Sequence, residues 1–585
     1  MTRTAFLRRK NIIIGSLVLL VILLVAGFFI LRRPTRVAME RYAPADALMF
    51  VEIESLADLV DGLTDTKAWR ELAPVLGLSS QLRQVGTLTD LVGRSGLGPD
   101  EAVVAGRAQF AVVITGIESN TGETEEGPYI HLKPAFALII ETHMKPDTAA
   151  RLVRERASLI AERIYGESVA EHPVEHLGST LRVFEGPGSG HQLVVSSLGS
   201  VILIGNRADA ATKCLDAIAG RATTLDQDQT LKQMRSEVGL DPEVFGYISA
   251  AGIEKLVELW PLLFAGRGGE PESIGAFADL IEHLAKQIGA GLFYSARFEQ
   301  GGVTEKYLAA LRPPVAEALS RPLKPVSGAA SDVAAILPDD FESVTVLNAE
   351  NVGELPERVF KQLSPTVDIV AGVALREFII DFRKQYGLEP KDSVGDALGN
   401  QMAVVNLGDD NPRAMLIRVN DKSRVEPLAA RYAMRKSSGV KREQLNGSEI
   451  LVGSDDDRRG AGFIGDYLVL GTRDQIAKLA RTKSEGRAVD ERVRQALEAR
   501  PTNASIFSYR NRVDEAGTLL LALSKLTRVT DGSRELLNRE LARKALERLP
   551  RSISFTEFRE SGVYVETHSA VGNFSAIGSL LGTED

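Results

Sequence analysis

Apolar residues fall into two kinds of stretch along this chain. The first kind is short and bounded by Gly, Pro or Asp: ALMFVEI from Ala47, QFAVVIT from Gln109, FALIIET from Phe136, TLRVFE from Thr180, QLVVSS from Gln192, SVILIG from Ser200, VFGYIS from Val244 and AGLFYSARF from Ala290. Short runs rich in β-branched and aromatic residues predict strands. Several stand only a hairpin apart, so much of the sheet should be antiparallel. The second kind has helical period. In KPDTAARLVRERASLIAERIYG, Leu152, Val153, Ile160 and Ile164 share a face, and Arg151, Arg154, Glu155 and Glu162 cover much of the other. Asp147 is placed to cap this helix and Gly166 to stop it. ESIGAFADLIEHLAKQIG, ending at Gly289, reads as a second amphipathic helix. Strand blocks broken by helices that cover one face predict an α+β sheet-and-helix unit.

One stretch has no polar face. Residues 11–31, Asn11 to Leu31, carry no charge. At about 1.5 Å per residue this spans roughly 30 Å, the hydrocarbon thickness of a bilayer. A signal peptide has a shorter apolar core and a small-residue cleavage site; here FFILRRP follows instead. A single retained transmembrane helix is therefore expected, between a basic segment 1–10 and a juxtamembrane segment 32–41. Arg3, Arg8, Arg9 and Lys10 precede it, and Arg32, Arg33, Arg36 and Arg41 follow it, so flanking charge barely sets the orientation. Long C-terminal domains translocate largely regardless of such charge. The bulk of the chain is therefore expected outside the cytoplasm.

The pattern also repeats. SVILIGNRADAATKCLDAIAGRA from Ser200 is answered by DYLVLGTRDQIAKLARTKSEGRA from Asp466, through Gly205/Gly471, Arg207/Arg473, Ala211/Ala477 and a shared Gly-Arg-Ala at 220–222 and 486–488. Further anchors follow in the same order: Pro44/Pro338, Asp46/Asp340, Pro99/Pro390, Gln109/Gln401, Pro134/Pro412, Ala149-Ala150-Arg151/Ala429-Ala430-Arg431, Gly178/Gly447, Phe245/Phe507 and Phe298/Phe558. The spacing falls from 294 (338 − 44) to 260 (558 − 298), with reversals of only one (390 − 99 = 291 to 401 − 109 = 292) and two residues (412 − 134 = 278 to 429 − 149 = 280), as loop-length differences would make it. Two tandem copies of a mainly antiparallel unit are expected, at 42–312 and 336–574, with a tail at 575–585. Four prolines and a small-residue run mark 313–335 as a linker with few buried contacts.

An N-terminal anchor, the PADALMFVEI opening strand, a GLxP helix end before QxAVV and the LxVLGTRDQIAK strand–turn–helix resemble the bacterial proteins catalogued as domain of unknown function 3352. The resemblance implies a membrane-attached, extracytoplasmic protein, held in a bacterial inner membrane by its single span. It brings no catalytic residues.

Composition narrows the function classes. The chain has 585 residues, enough for three or four domains. Its net charge of −9 argues against nucleic acid, which needs clustered Lys and Arg. The lone cysteine, Cys214, excludes an internal disulfide and a cysteine zinc cage. His172 and His176 have the i,i+4 spacing of a helical zinc pair, but Pro173 lies between them and a strand follows, which separates them by about 13 Å. Gly205 and Gly471, each followed by an Arg at a helix start, have the form of an anion site, but a plain strand-to-helix turn with a solvated Arg needs no ligand and is the favoured reading. SDDDRRG (454–460) and GDDNP (408–412) lack the alternating oxygens of a calcium loop. GPGSGH (186–191) precedes a strand where a dinucleotide fingerprint needs a helix. No P-loop, nucleophile elbow or zincin motif occurs. No residue is assigned a catalytic, cofactor-binding or metal-binding role, and no cofactor is expected. The expected function is a non-enzymatic binding or scaffolding component of the cell envelope, with the membrane and an envelope protein as partners. An anchored hydrolase built from dispersed residues and a cytoplasm-facing scaffold are the alternatives.

Overall fold

The computed structural model describes residues 36–572 except 77–105, 125–126, 167, 177, 188–190, 240, 265–282, 284, 327–330, 386–394, 409–412, 436, 455–458, 487–490 and 512–538. The short apolar runs all become strands. They are β1 (Met49–Ile53), β2 (Gln109–Thr124), β3 (Gly127–Glu141), β4 (Ala170–His176), β5 (Ser179–Glu185), β6 (Gln192–Leu198), β7 (Val201–Gly205), β8 (Val244–Ser249), β9 (Gly289–Glu299) and β10 (Gly302–Leu311). The second half contributes β11 (Ser343–Asn348), β12 (Leu398–Asn406), β13 (Ala414–Val419), β14 (Val440–Leu445), β15 (Ser448–Gly453), β16 (Arg459–Ile464), β17 (Tyr467–Thr472), β18 (Ile506–Arg510), β19 (Ser552–Arg559) and β20 (Gly562–Ser569).

All pairings are antiparallel, and together they make one open sheet. Its order is β4-β5-β6-β7-β3-β2-β1-β8-β9-β10-β20-β19-β18-β11-β12-β13-β17-β16-β15-β14. The two halves meet where β10 pairs with β20 over Val303–Ala310 and Gly562–Ser569. The outer edges are β4, with Pro173 and an exposed face, and β14, with Lys441, Arg442 and Glu443. Proline and charge of this kind discourage further strand addition.

Fourteen α-helices lie among the described residues: α1 (Leu56–Asp65), α2 (Lys67–Leu72), α3 (Pro146–Tyr165), α4 (Ala208–Ile218), α5 (Gln229–Val238), α6 (Ala250–Phe264), α7 (Pro313–Ser320), α8 (Ser331–Ala334), α9 (Leu355–Leu363), α10 (Ile369–Gln385), α11 (Lys422–Met434), α12 (Arg473–Ser484), α13 (Glu491–Glu498) and α14 (Arg539–Arg548). The fold class is thus α+β with a large antiparallel sheet. On one face Phe50, Val113, Ile139 and Phe245 pack against Cys214 and Leu215 of α4 and Leu231 and Met234 of α5. In the second half Val346, Val405, Leu416 and Phe507 pack against Ile476 and Leu479 of α12 and Leu497 of α13. Helices α3 and α11 cover the opposite face of the outer strands. Helices α2 and α14 share a small cluster with Ala570 and Val571 just past β20, which ties the halves together.

Four expectations change. Helix α3 starts at Pro146, the favoured first helical position for proline, so Asp147 sits in the first turn and the cap is Lys145. Its buried stripe is Ala149, Val153, Ala157 and Ala161, while Ile164 is exposed. Small side chains every four residues let the helix approach the sheet closely, and the larger residues flank that contact. The segment 313–335 is not a loose linker. Two of its prolines, Pro313 and Pro314, open α7, whose Val315 and Ala316 are buried, and Val333 and Ala334 of α8 enter the second core. Proline reads as a breaker, yet it fits the first helical turn. Finally, residues 36–41 belong to the first half: Met39 is fully buried in its core, and the Val37 N–H and C=O bond the Gln109 side chain at 2.8 and 2.9 Å.

The expected membrane span, 11–31, lies outside the described residues, and none of the described helices is long and apolar enough to cross a bilayer. Most of the second amphipathic helix, 272–289, also lies outside them.

Candidate functional site

Alternation along a strand sends neighbouring side chains to opposite faces. On β19, Phe555 enters the second core while Ser552, Ser554 and Thr556 face the other way; on β20, Thr567 and Ser569 do the same. Those hydroxyls line a cavity of about 370 Å³. Register brings four of them into one row across four strands: Thr345 stands opposite Ser508, Ser508 opposite Ser554, and Ser554 opposite Thr567. Thr345 and Ser508 share a hydrogen bond of 3.0 Å, and Ser554 and Thr567 share one of 2.9 Å. Asn406, Arg413 and Arg510 add donors at the rim, and Pro550, Ala570 and Val571 close one side. Among the described residues, no His, Asp, Glu, Lys or Cys lines it. The described lining offers hydrogen bonds and positive charge, and its hydroxyls have no general base beside them among the described residues.

The other face of β20 holds a hydroxyl–imidazole–carboxylate series. His568 Nδ1 lies 2.9 Å from Thr304 Oγ1, and its Nε2 lies 2.9 Å from Glu566 Oε1. Glu566 also accepts the Tyr564 hydroxyl at 2.7 Å. The hydrogen bond from His568, with those from Tyr564 and the charge of Lys306, holds the Glu566 carboxyl down at about 2 against partial burial. Thr304 is buried directly opposite His568 in the β10–β20 ladder, and the cavity is lined by the alternate residues Val565, Thr567 and Ser569. The series is a polar clasp between the halves, turned away from the cavity.

A second cluster sits in the first core. Arg235 of α5 reaches Glu52 Oε2 at 2.9 Å, bonds Glu40 as well, and lays its guanidinium 4.3 Å from the Phe245 ring centre. Glu40 and Glu52 are 5% and 2% exposed, so two buried carboxyls share one cation. Burial, helped by Glu54 and opposed by Arg36, lifts Glu52 to about 8; burial lowers Arg235 to about 10. No sequence motif marks either cluster or the cavity. Their members are scattered and meet only through strand register.

The candidates singled out in the sequence find ordinary partners. His172 and His176 lie on β4, as the strand expectation requires, and His176 Nε2 bonds Asp216 at 2.9 Å. No group of three or more potential metal ligands occurs among the described residues. Gly205 and Gly471 do end strands ahead of α4 and α12, but Arg207 pairs with Glu118 at 2.6 Å and Asp209 at 3.0 Å, and Arg473 pairs with Glu443 at 2.8 Å. Thr472 and Gln475 form a capping box that already occupies the α12 N-terminus. Residues 455–458 and 409–412 of the acidic turns lie outside the described residues, as do 188–190 of GPGSGH, whose described ends join strands β5 and β6.

No family model, curated protein or solved structure matches the chain.

Proposed function

We propose that the chain is a membrane-tethered binding protein built from two copies of one α+β unit, with the cavity of the second copy as its ligand site. The duplication is supported by register as well as by shared residues. The β1–β2 pair Met49↔Ile114 has its counterpart in Ser343↔Asn406, and the β1–β8 pair Glu52↔Phe245 in Val346↔Phe507. Val194↔Gly205 corresponds to Gly460↔Gly471, and Phe298↔Val303 to Phe558↔Val563. The hairpin His176↔Ser179 corresponds to Leu445↔Ser448, with Gly178 and Gly447 both at positive φ in the turn. Of the sequence anchors, Pro99, Pro390, Pro412, Arg487 and Ala488 lie outside the described residues. The β10–β20 joint pairs Lys306 with Glu566, which are themselves equivalent positions (566 − 306 = 260, as 558 − 298), so the copies face each other about an approximate two-fold axis.

The observation that carries the binding role is the hydroxyl row. Its positions Thr345, Ser508, Ser554 and Thr567 correspond to Val51, Gly246, Tyr294 and Tyr307 in the first copy. There, Val51 and Tyr294 pack with Leu59 of α1 in an apolar cluster. One copy fills this face and the other leaves it hydroxylated and hollow. The Thr304–His568–Glu566 series is the one feature favouring an anchored hydrolase; it lies on the face of β20 turned away from the cavity, and the Thr304 hydroxyl it contains is buried.

Two measurements test the proposal. A phosphatase reporter fused after Asp585 should be active and a cytoplasm-dependent fluorescent reporter dark; the reverse pattern moves the bulk of the chain into the cytoplasm. Giving the second copy the first copy's residue, Ser554→Tyr, should fill the cavity without unfolding the protein. Polar small molecules that raise the melting temperature of the wild type should then lose their effect. Ligands that stabilise both proteins equally place binding elsewhere.

A further inference from the structure

We infer that the cavity takes a small polyhydroxylated anion, an oxyanion group carried on a polyol body such as a sugar acid or a sugar phosphate; this rests on the cavity being the ligand site. The first argument is charge. The described lining contains two guanidinium groups and no carboxylate. This is unusual on a chain whose Asp and Glu outnumber its Lys and Arg, 78 against 69. Elsewhere on the sheet, arginines near the surface are engaged by acids, as Arg207 and Arg473 are. Arg413 stands exposed at the cavity and makes no ion pair or hydrogen bond with a described residue. A guanidinium left open beside hydroxyl donors suits an oxyanion, which accepts two parallel N–H bonds from it.

The second argument is the hydroxyl row. A Ser or Thr hydroxyl donates one hydrogen bond and accepts two. Thr345 with Ser508, and Ser554 with Thr567, each spend one bond within the pair and keep capacity facing the cavity. A ligand whose own hydroxyls both donate and accept matches that lattice, whereas an apolar ligand would leave it unpaired at a cost of about 1–3 kcal/mol per group. The third argument is size. About 370 Å³ lies at the small end of ligand pockets, so a single sugar-sized body fits and a long apolar chain does not.

The test is calorimetric titration of the full chain with four probes: glucuronate, glucose 6-phosphate, glucose and inorganic phosphate. Glucuronate or glucose 6-phosphate should bind at least tenfold more tightly than glucose, and the tighter of the two identifies the carboxylate or phosphate source. Arg413→Gln should bring that charged sugar to within about twofold of glucose and leave glucose unchanged. Ser554→Tyr should abolish binding of all the sugars. Glucose binding as tightly as both charged sugars overturns the anion preference and leaves the cavity as a binding site. Phosphate binding as tightly as glucose 6-phosphate overturns the polyol component. Binding that survives Ser554→Tyr, or no binding by any of the four probes, overturns the inference; the former also removes the cavity as the ligand site.

Discussion

Replacing Arg235 with leucine alone should destabilise the protein by about 3–5 kcal/mol, whereas replacing Glu40, Glu52 and Arg235 together with Ala, Val and Leu should recover most of that loss. The single change leaves two carboxyls, 5% and 2% exposed, without their cation. The triple change copies the residues at the corresponding places of the proposed second copy. Glu52 stands opposite Phe245 where Val346 stands opposite Phe507. Arg235 lies ten residues before Phe245, as Leu497 does before Phe507, and Glu40 follows the buried Met39 as Ala334 follows the buried Val333. Ala334, Val346 and Leu497 all belong to the second core, so the fold accepts an apolar trio at this place. Urea midpoints of the wild type, the single variant and the triple variant check the prediction; a triple variant as unstable as the single one would refute the equivalence.

The same cluster sets a pH dependence. Glu52 is raised from its ordinary value to about 8, chiefly by burial. The folded chain therefore keeps a proton that the unfolded chain releases near its ordinary value, about 4.3. Folding binds protons across this window, so Glu52's contribution is full below about 4.3, declines as pH rises to about 8, and is flat beyond. The urea midpoint should fall between pH 5 and pH 8.5 in the wild type. That component of the fall should disappear in the triple variant, which has no carboxyl at 52.

Gly302→Val should open the joint between the halves. Gly302 and Gly562, at corresponding places of the two proposed copies, have φ +147 and +141. A Cβ on Gly302 would come within 2.1 Å of the Ser569 carbonyl oxygen, and one on Gly562 within 2.1 Å of that of Ala309. Both obstacles are backbone, so neither can rotate aside. The strained φ alone costs about 1–3 kcal/mol, and the displaced ladder bonds add to that. Gly301→Val is the control, because a Cβ there meets nothing within 4 Å. Amide exchange should accelerate at 303–310 and 562–569 in Gly302→Val and stay protected in Gly301→Val. Equal protection in both would show that the joint tolerates the side chain.

The sequence by itself determined the local elements. ALMFVEI, QFAVVIT and SVILIG each carry the period-two or continuous apolar pattern of a strand, and each is one in the structure. Helix α3 was legible from its 3.6 period, although its buried stripe of alanines was not, since alanine is too small to dominate a hydrophobic pattern. Gly178 and Gly447 fall in turns because the positive φ there restricts residue choice locally, whereas Gly205 and Gly471 sit where neighbouring residues approach closely. What only the tertiary structure decided is how distant strands align. Ser508, Ser554 and Thr567 each look like the polar half of an ordinary strand, and nothing within one strand says that register will stack them into a single row. Glu52 in MFVEI occupies a polar-looking position that proves to be core, because Arg235, 183 residues later, arrives to meet it. The β10–β20 joint is likewise invisible in either strand alone. Hydrogen bonding between strands uses backbone groups that every residue carries, so the choice of partner is made by the packing of the whole sheet.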